Sequence, residues 1–288
     1  MVLAGVLVNG LVLSGIYGML ALGFALTYGV ARVLNLAHTA FYMVAAYTLF
    51  FLVGRVGFVE AAFLATFVVV ALALCAYRLL LEPLKQHEST VLIVTIALAL
   101  LLQELLLLLF GGQFRSVPAL LPGFVEVLGV RVAQQALLAL GFAAGVLLAT
   151  WLLIKGTRLG LRIRAAAQEQ EAAELVGISL SGAGYWAVGL GGLTAALAGL
   201  AVAPLANLEP HMWSPSLLVV LAAVVLGGLG SLPGALLGAS VLAFAEVLVV
   251  NLVPGGSFLR TTVALLVMVI VLLLKPEGLF GTSFVEER

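Results

Sequence analysis

Charged residues are scarce in this sequence: only 9% of its 288 residues are Asp, Glu, Lys or Arg, whereas a soluble domain carries about 25%. The net charge is zero, so neither nucleic acid nor an acidic partner is indicated. Cys75 is the single cysteine and lies in an apolar run, so neither a disulfide nor a metal site is available. No Gly-x-x-x-x-Gly-Lys-Ser/Thr string and no Ser-His-Asp constellation occurs. We therefore predict that the chain is not an enzyme and hydrolyses no nucleotide itself.

Long apolar runs are what the sequence has instead. Hydrophobic residues make up 64% of it and the mean hydropathy is +1.28, which indicates a polytopic membrane protein. Backbone amides in a bilayer must be satisfied without water, and strand-type alternation is absent, so we expect helices. The predicted fold class is one all-α polytopic membrane domain covering residues 1–288. The first residues lack a basic region and a clear cleavage site, so they are interpreted as a retained first span.

A transmembrane helix needs about 20 apolar residues. Two of the candidate runs, 40–53 and 217–229, are short for a crossing and are candidates for broken or re-entrant helices, so the prediction is eight or nine transmembrane helices. The candidate runs are 2–28, 40–53, 58–80, 91–110, 136–154, 184–205, 217–229, 234–252 and 259–274.

One stretch, which we call the elbow (residues 155–178), interrupts this pattern with four cations followed by three glutamates. An unpaired charge at mid-bilayer costs at least ~2.5–3.5 kcal/mol, so the elbow must project into water. Its cations place the loop 155–183 on the cytoplasmic side. Basic residues before acidic ones oppose a single helix dipole, which favours two short helices, at 160–166 and from Gln168, with Gly177 as the stop.

This side assignment puts the N-terminus outside and the C-terminus in the cytoplasm. The cytoplasmic loops then hold nine Lys and Arg residues against four outside, as the positive-inside bias requires. Two interpretations of the elbow remain open on charge and length alone. It is either an ordinary solvated loop or a partly apolar element that docks in a groove of another protein.

The string Glu171-Ala172-Ala173-x-x-x-Gly177 resembles the Glu-Ala-Ala coupling loop of ABC importer permeases, which seats on the ATP-hydrolysing subunit. With Thr157, Gly160 and Arg164-Ala165, it is similar to that loop in branched-chain amino acid permeases. The sequence departs at Leu161, where the family usually has Arg; Arg162 follows one step later. The resemblance implies that the following residues couple to the ATPase: Thr157, Gly160, Arg162, Arg164, Ala165, Glu171, Ala172, Ala173 and Gly177.

The connector after the first span carries Asn35, His38 and Tyr42 in apolar surroundings. The preferred interpretation is that Asn35 caps the second helix and His38 lies at the membrane interface. The alternative is that the connector controls the cytoplasmic end of a substrate pathway. The stretch resembles the family's Asn-Phe-Ala-His-Gly-x-x-Tyr-Met segment, with Leu36 for Phe and Thr39 for Gly.

A glycine-rich stretch at 227–238 also resembles these permeases, as does the ending 274–281. It is either a helix broken at membrane depth, whose free amide and carbonyl groups line a substrate route, or a tight turn between spans. The pathway candidates in it are Gly227, Gly228, Gly230 and Ser231.

Ionisable residues inside the spans are few: Glu104 and Glu246. Each should face protein or water and have a partner. A bridge between helices is favoured for both over reception of a substrate ammonium group. Trp213, in the external loop before the seventh run, is expected to be an anchor at the membrane interface.

The resemblance covers the whole chain and implies the membrane permease of an ABC importer for branched-chain or other hydrophobic amino acids, the smaller of the family's two permeases. The implied partners are a second permease, homologous or identical, two cytoplasmic ATPases that bind ATP and Mg²⁺, and an external substrate-binding protein. The chain itself should bind no cofactor and should reside in a bacterial or archaeal inner membrane. The competing hypotheses are a permease for urea or another small solute, and a secondary transporter that needs no ATPase. A secondary transporter should show internal repeats and intramembrane charged ion sites, which the sequence lacks.

Overall fold

The computed structural model describes residues 2–127, 129–275 and 278–280. Within them the chain is mainly helical, with one small sheet, a π-helical turn at Tyr77–Leu81 and a 3₁₀ turn at Gly256–Leu259. The helices are α1 Val2–Ala31, α2 His38–Val56, α3 Phe58–Ala76, α4 Glu82–Leu84, α5 Glu88–Phe110, α6 Gln134–Gly156, α7 Arg158–Gln168, α8 Gln170–Leu175, α9 Leu180–Val202, α10 Trp213–Gly227, α11 Leu232–Leu252 and α12 Arg260–Leu274; the strands are β1 Phe124–Val127 and β2 Val130–Ala133.

Seven helical segments in the described part of the chain are long and apolar enough to cross a membrane, one or two fewer than expected. They are α1, α2, the continuous segment Phe58–Leu84, α5, α6, α9 and α11. Run 40–53, which is short for a crossing in the sequence, is part of the 19-residue helix α2 and is long enough to cross. The helices α10 and α12 have 15 residues each, which is about 22 Å of helix against a hydrocarbon core of about 30 Å.

The long helix α1 is the centre of the bundle and packs against α6, α9 and α11. Small residues allow these close contacts. A Cβ added to Gly10 would lie 2.5 Å from the Phe244 ring, and one added to Gly191 would lie 2.9 Å from the carbonyl oxygen of Gly23. Glycine at these two positions therefore serves helix packing, which drives association where lipid provides no hydrophobic force.

A two-stranded antiparallel hairpin in the loop between α5 and α6 contradicts the expectation that strand-type alternation is absent. Phe124 pairs with Ala133 and Glu126 with Arg131 across the hairpin. The signal was present as alternating residues on either side of Gly129, which has φ +77°. Such a short hairpin is tolerated because its backbone lies outside the apolar spans.

Trp213 is buried in the bundle, so its expected role as an interface anchor was wrong. Its Nε1–H donates a 2.7 Å hydrogen bond to Oε1 of Gln103, which is also buried. Pairing satisfies both polar groups inside the apolar bundle and joins the start of α10 to α5.

Candidate functional site

The elbow forms two short helices that meet at Glu169, as its charge order indicated. The helix α7 begins at Arg158, slightly earlier than expected, because Oγ1 of Thr157 caps it by accepting a 3.0 Å hydrogen bond from the Gly160 amide. Glu169 is the residue between the helices and not part of the first turn of α8.

Gly177 ends α8 in the left-handed conformation, with φ +81°. Its amide bonds the Glu174 carbonyl at 2.9 Å, and the next amide, of Ile178, bonds the Ala173 carbonyl at 2.9 Å. This pair of bonds is the Schellman stop that glycine favours. Gly177 therefore acts as the helix stop that the sequence indicated.

The elbow is fixed to the end of α6 by close backbone contact. Gly160 lies against the Ile154 carbonyl, so that any Cβ at this position would overlap it. The guanidinium of Arg164 donates a hydrogen bond to the same carbonyl oxygen. A cation is favourable there because the carbonyls at a helix C-terminus carry partial negative charge.

Two further hydrogen bonds run in opposite directions between the elbow and the end of the central helix. Arg32, which follows α1 with φ +54°, donates from Nη2 to the Ala167 carbonyl at 3.1 Å. Gln170 donates from Nε2 to the Val30 carbonyl at 2.9 Å. Each uses a carbonyl that a helix end leaves without an internal partner. A displacement of the elbow must therefore move or break contacts with α1.

The apolar residues of the elbow divide between two surfaces. Ile163, Ala166 and Ala173 are buried against the rest of the chain. Leu161 points outward. Leu175 and Val176, which form the exposed corner of the elbow at the end of α8, are 88% and 75% exposed. Neighbouring exposed apolar side chains rimmed by charge are characteristic of a protein–protein contact.

The glycine-rich stretch is a tight turn between α10 and α11 at the same end of the bundle. Oγ of Ser231 caps α11 by accepting a 3.2 Å hydrogen bond from the Gly234 amide. A Cβ on Gly29, near the end of α1, would lie 3.7 Å from Gly230. The geometry favours the tight turn over a helix broken at membrane depth.

The elbow, the turn and α1 together border an open cavity of about 300 Å³. Its lining includes Arg164 and Gln168 of the elbow, Gly29 of α1, and Gly230 and Ser231 of the turn. Two motifs that are more than 60 positions apart in the sequence therefore meet at one place. Neither motif contains a local sequence pattern that predicts this contact.

Part of the C-terminal motif, residues 274–281, packs at the same end of the bundle, against the end of α10. The amides of Leu279 and Phe280 donate to the carbonyls of Leu226 and Gly227 at 2.7 and 3.0 Å. They satisfy two carbonyls that the end of α10 leaves without a partner. Pro276, Glu277 and Gly281 of this motif lie outside the described residues.

The connector after α1 turns back into the bundle. Oδ1 of Asn35 accepts a 3.1 Å bond from the Ala37 amide, so it forms a turn just before α2 and does not cap its first amides. A ring nitrogen of His38 lies 3.1 Å from the Leu20 carbonyl oxygen, which is about 16 Å along α1 from its end. His38 is thus buried within the bundle and not at the interface. Tyr42, also buried, has its backbone against Gly199.

The two intramembrane glutamates lie in different surroundings. Glu246 of α11 accepts a 2.8 Å hydrogen bond from Tyr17 and lies 3.5 Å from Nε of Arg260. Glu104 of α5 is exposed on this chain, and Nε2 of its neighbour Gln103 donates to it at 3.1 Å. Glu246 is a bridge between helices, whereas Glu104 makes no hydrogen bond to another helix among the described residues.

Replacing Thr157 by alanine should loosen the first turn of α7. The lost cap is worth about 1 kcal/mol, because the Gly160 amide loses its acceptor. Hydrogen exchange on the purified protein should show amides 158–162 exchanging about fivefold faster. Thr157→Ser keeps the accepting oxygen and should exchange like the parent. Equal exchange in the alanine and serine variants would contradict the cap.

Comparison with known proteins gives a consistent result along the chain. The family described as "Branched-chain amino acid transport system / permease component" matches residues 6–274. The high-affinity branched-chain amino acid transport system permease protein BraD of Pseudomonas aeruginosa is 29% identical, over 98% of this chain and 96% of its own. LivH of Escherichia coli K12, with the same description, is 27% identical over 97% and 96%. A probable branched-chain amino acid transport permease LivH of Methanocaldococcus jannaschii is 27% identical over 97% and 93%.

Among solved structures, a chain of PsaBC from Streptococcus pneumoniae in complex with Fab resembles this fold. Its TM-score is 0.53 and its sequence identity 14%, with 94% of this chain and 92% of that chain covered. At this identity the likeness concerns the fold alone.

Proposed function

Because the chain belongs to the family of branched-chain amino acid transport permeases of ABC transporters, we propose that it is one of two membrane subunits of an ATP-driven importer of branched-chain and other hydrophobic amino acids. The observation that carries the coupling role is the elbow, which exposes Leu175 and Val176 while its other face is anchored to α1 and α6. ATP and Mg²⁺ are bound by two partner ATPases that dock on this exposed corner.

The anchoring contacts supply a route for the motion. Closure of the ATPases would push the elbow, and the bonds from Arg32 and Gln170 would carry the displacement into α1. The glycine turn, which shares the cavity behind the elbow, would shift with it. The ATPases would thereby bias an equilibrium between two arrangements of the helices.

The proposed orientation places the elbow in the cytoplasm of a bacterial or archaeal cell, with the N-terminus outside and the chain in the inner membrane. The end of α1 that meets the elbow carries Arg32, and the elbow adds Lys155, Arg158 and Arg162, all exposed. This concentration of cations at one end of the bundle supports that side assignment.

The exposed carboxylate of Glu104 supports a second permease as partner. Glu104 lies about 9 Å from the end of α5, with exposed Leu101, Leu105 and Leu108 around it. A carboxylate facing hydrocarbon is costly, and intramembrane charges face protein or water. Coverage of this face by a homologous or identical permease would remove the cost.

Two loops at the opposite end support docking of an external binding protein. The loop before α6 and the loop before α10 are joined by a backbone bridge between Arg115 and Leu208, with N–O distances of 3.0 and 2.7 Å. These loops, the first of which includes the β1–β2 hairpin, offer a surface on which a substrate-binding protein would deliver its ligand.

Uptake by proteoliposomes tests the function. The complete complex should accumulate labelled leucine only when ATP is present on the side of the membrane where the ATPases lie and the binding protein is present on the other side. Omitting either should reduce uptake to the level of empty vesicles. Uptake without ATP would favour a secondary transporter, and ATP-driven uptake of urea in preference to leucine would favour the permease for another solute.

A further inference from the structure

A second cavity, of about 390 Å³, lies at the end of the bundle opposite the elbow. It is bounded by the start of α1, the end of α9, the end of α11 and the start of α12. Polar groups are few in its lining: Asn9, Asn251, Glu246 and Arg260. Valine, leucine and isoleucine side chains of α1, α9 and α11 form most of its wall. An apolar cavity of this size with a few convergent polar groups is the usual form of a small-molecule site.

The two charged groups have unequal access. The carboxylate of Glu246 is buried, 2% exposed, and is held by Tyr17 at 2.8 Å. The side chain of Arg260 is 56% exposed and contacts Glu246 through Nε at 3.5 Å. A carboxylate can engage a guanidinium in a bidentate manner through two of its nitrogens.

We propose that this cavity binds a zwitterionic amino acid with an apolar side chain, as the entry site of the transport path. The α-carboxylate pairs with the guanidinium of Arg260, the α-ammonium approaches Glu246, and the side chain lies against the apolar wall. This inference rests on the proposed function, and it assigns to that function the residues that receive the substrate.

A purely structural ion pair explains less of the geometry. Such a pair gains most when it is short and enclosed, because its desolvation cost must be met by close contact and further hydrogen bonds. Here the 3.5 Å contact borders an open cavity and the cation is largely exposed. The position also fits, because Arg260 begins α12 at the end of the bundle that carries the external loops.

The test measures leucine binding to the complete complex in lipid nanodiscs without the binding protein, by scintillation proximity. Two competitors each carry one of the two charges: 4-methylpentanoate and 3-methylbutylamine. The test variant carries both Glu246→Gln and Arg260→Gln, which keeps hydrogen-bonding side chains at both positions and leaves no unpaired buried charge. The matched control carries Glu82→Gln and Arg78→Gln, the same two changes in an ion pair of 3.4 Å whose residues do not line this cavity.

We expect the double variant at 246 and 260 to lose leucine affinity by about tenfold or more, the control to bind like the parent, and both competitors to be about tenfold weaker than leucine. Parent-like binding by the double variant, or equal competition by either single-charge compound, would overturn the inference. The competition data come from the parent complex, so they decide the matter even where the double variant does not assemble. If the parent complex takes up leucine but binds none in this assay, the inference about this cavity is overturned and the proposed function is not. Absence of ATP-driven uptake by the parent would instead refute the proposed function.

Discussion

The substitution Gly177→Arg is expected to abolish docking of the ATPases while leaving the helices inserted. Gly177 lies at the exposed corner of the elbow, beside Leu175 and Val176. Among the described residues, nothing lies within 4 Å of an added Cβ, so the new side chain does not clash with them. It would instead place a long cation over the apolar corner. The left-handed φ of +81° adds strain of about 1–2 kcal/mol, which is confined to the end of α8.

Pull-down of the ATPases by the tagged permease from detergent extracts measures this effect. Gly129→Arg is a matched control, because Gly129 has φ +77° and equally open surroundings but lies in the hairpin at the other end. It should retain normal amounts of ATPase. Gly177→Asn should retain most docking, since Asn tolerates the left-handed region. Normal ATPase recovery with Gly177→Arg would refute the coupling role of the elbow.

The second large effect is expected from Gly227→Ala, which should destabilise the hairpin of α10 and α11. A Cβ on Gly227 would overlap the backbone carbonyl of Gly234, and one on Gly234 would overlap the Gly227 carbonyl. Backbone atoms cannot yield as a flexible side chain does, so the helices must separate. Overpacking of this kind costs about 1–3 kcal/mol. The turn also borders the cavity behind the elbow, so uptake should fall with stability.

The loss of stability is measured by heating the purified protein and determining the fraction that remains folded by size-exclusion chromatography. At about 2–4 °C for each kcal/mol, the apparent Tm should fall by several degrees. Gly145→Ala provides the control, because Gly145 lies in the exposed middle of α6 and no atom of the part of the chain that the structure describes comes within 4 Å of an added Cβ. It should leave the Tm unchanged or slightly raised, since alanine favours a helix. An equal Tm for both variants would contradict the close approach of α10 and α11.

The elbow shows how far local sequence patterns extend. Charge order predicted two helices and glycine predicted the stop at Gly177, because both depend on dipoles and backbone conformation within one or two turns. The apolar residues did not reveal which would be buried. Ile163 and Ala173 face the bundle whereas Leu175 and Val176 face outward. That division depends on where α1 and α6 end relative to the elbow.

The connector illustrates the opposite case. The sequence predicted that Asn35 caps α2, but Asn35 forms the turn before that helix. It also predicted His38 at the interface, but His38 lies deep in the bundle. A polar residue near the end of a span normally indicates an interface. Here the chain turns back along α1, and the Leu20 carbonyl satisfies the ring nitrogen. The sequence carries no sign of that partner.

The sequence by itself determined the membrane environment, the helical class and the position of the charged elbow. These follow from the cost of exposing charge or unpaired backbone to hydrocarbon, which acts on every short segment independently. Only the tertiary structure decided that the elbow, the glycine turn and the end of α1 meet, and that Glu246 contacts Tyr17 and Arg260 beside an open cavity. Those contacts join residues far apart in the chain, and they depend on how closely small residues let the helices approach.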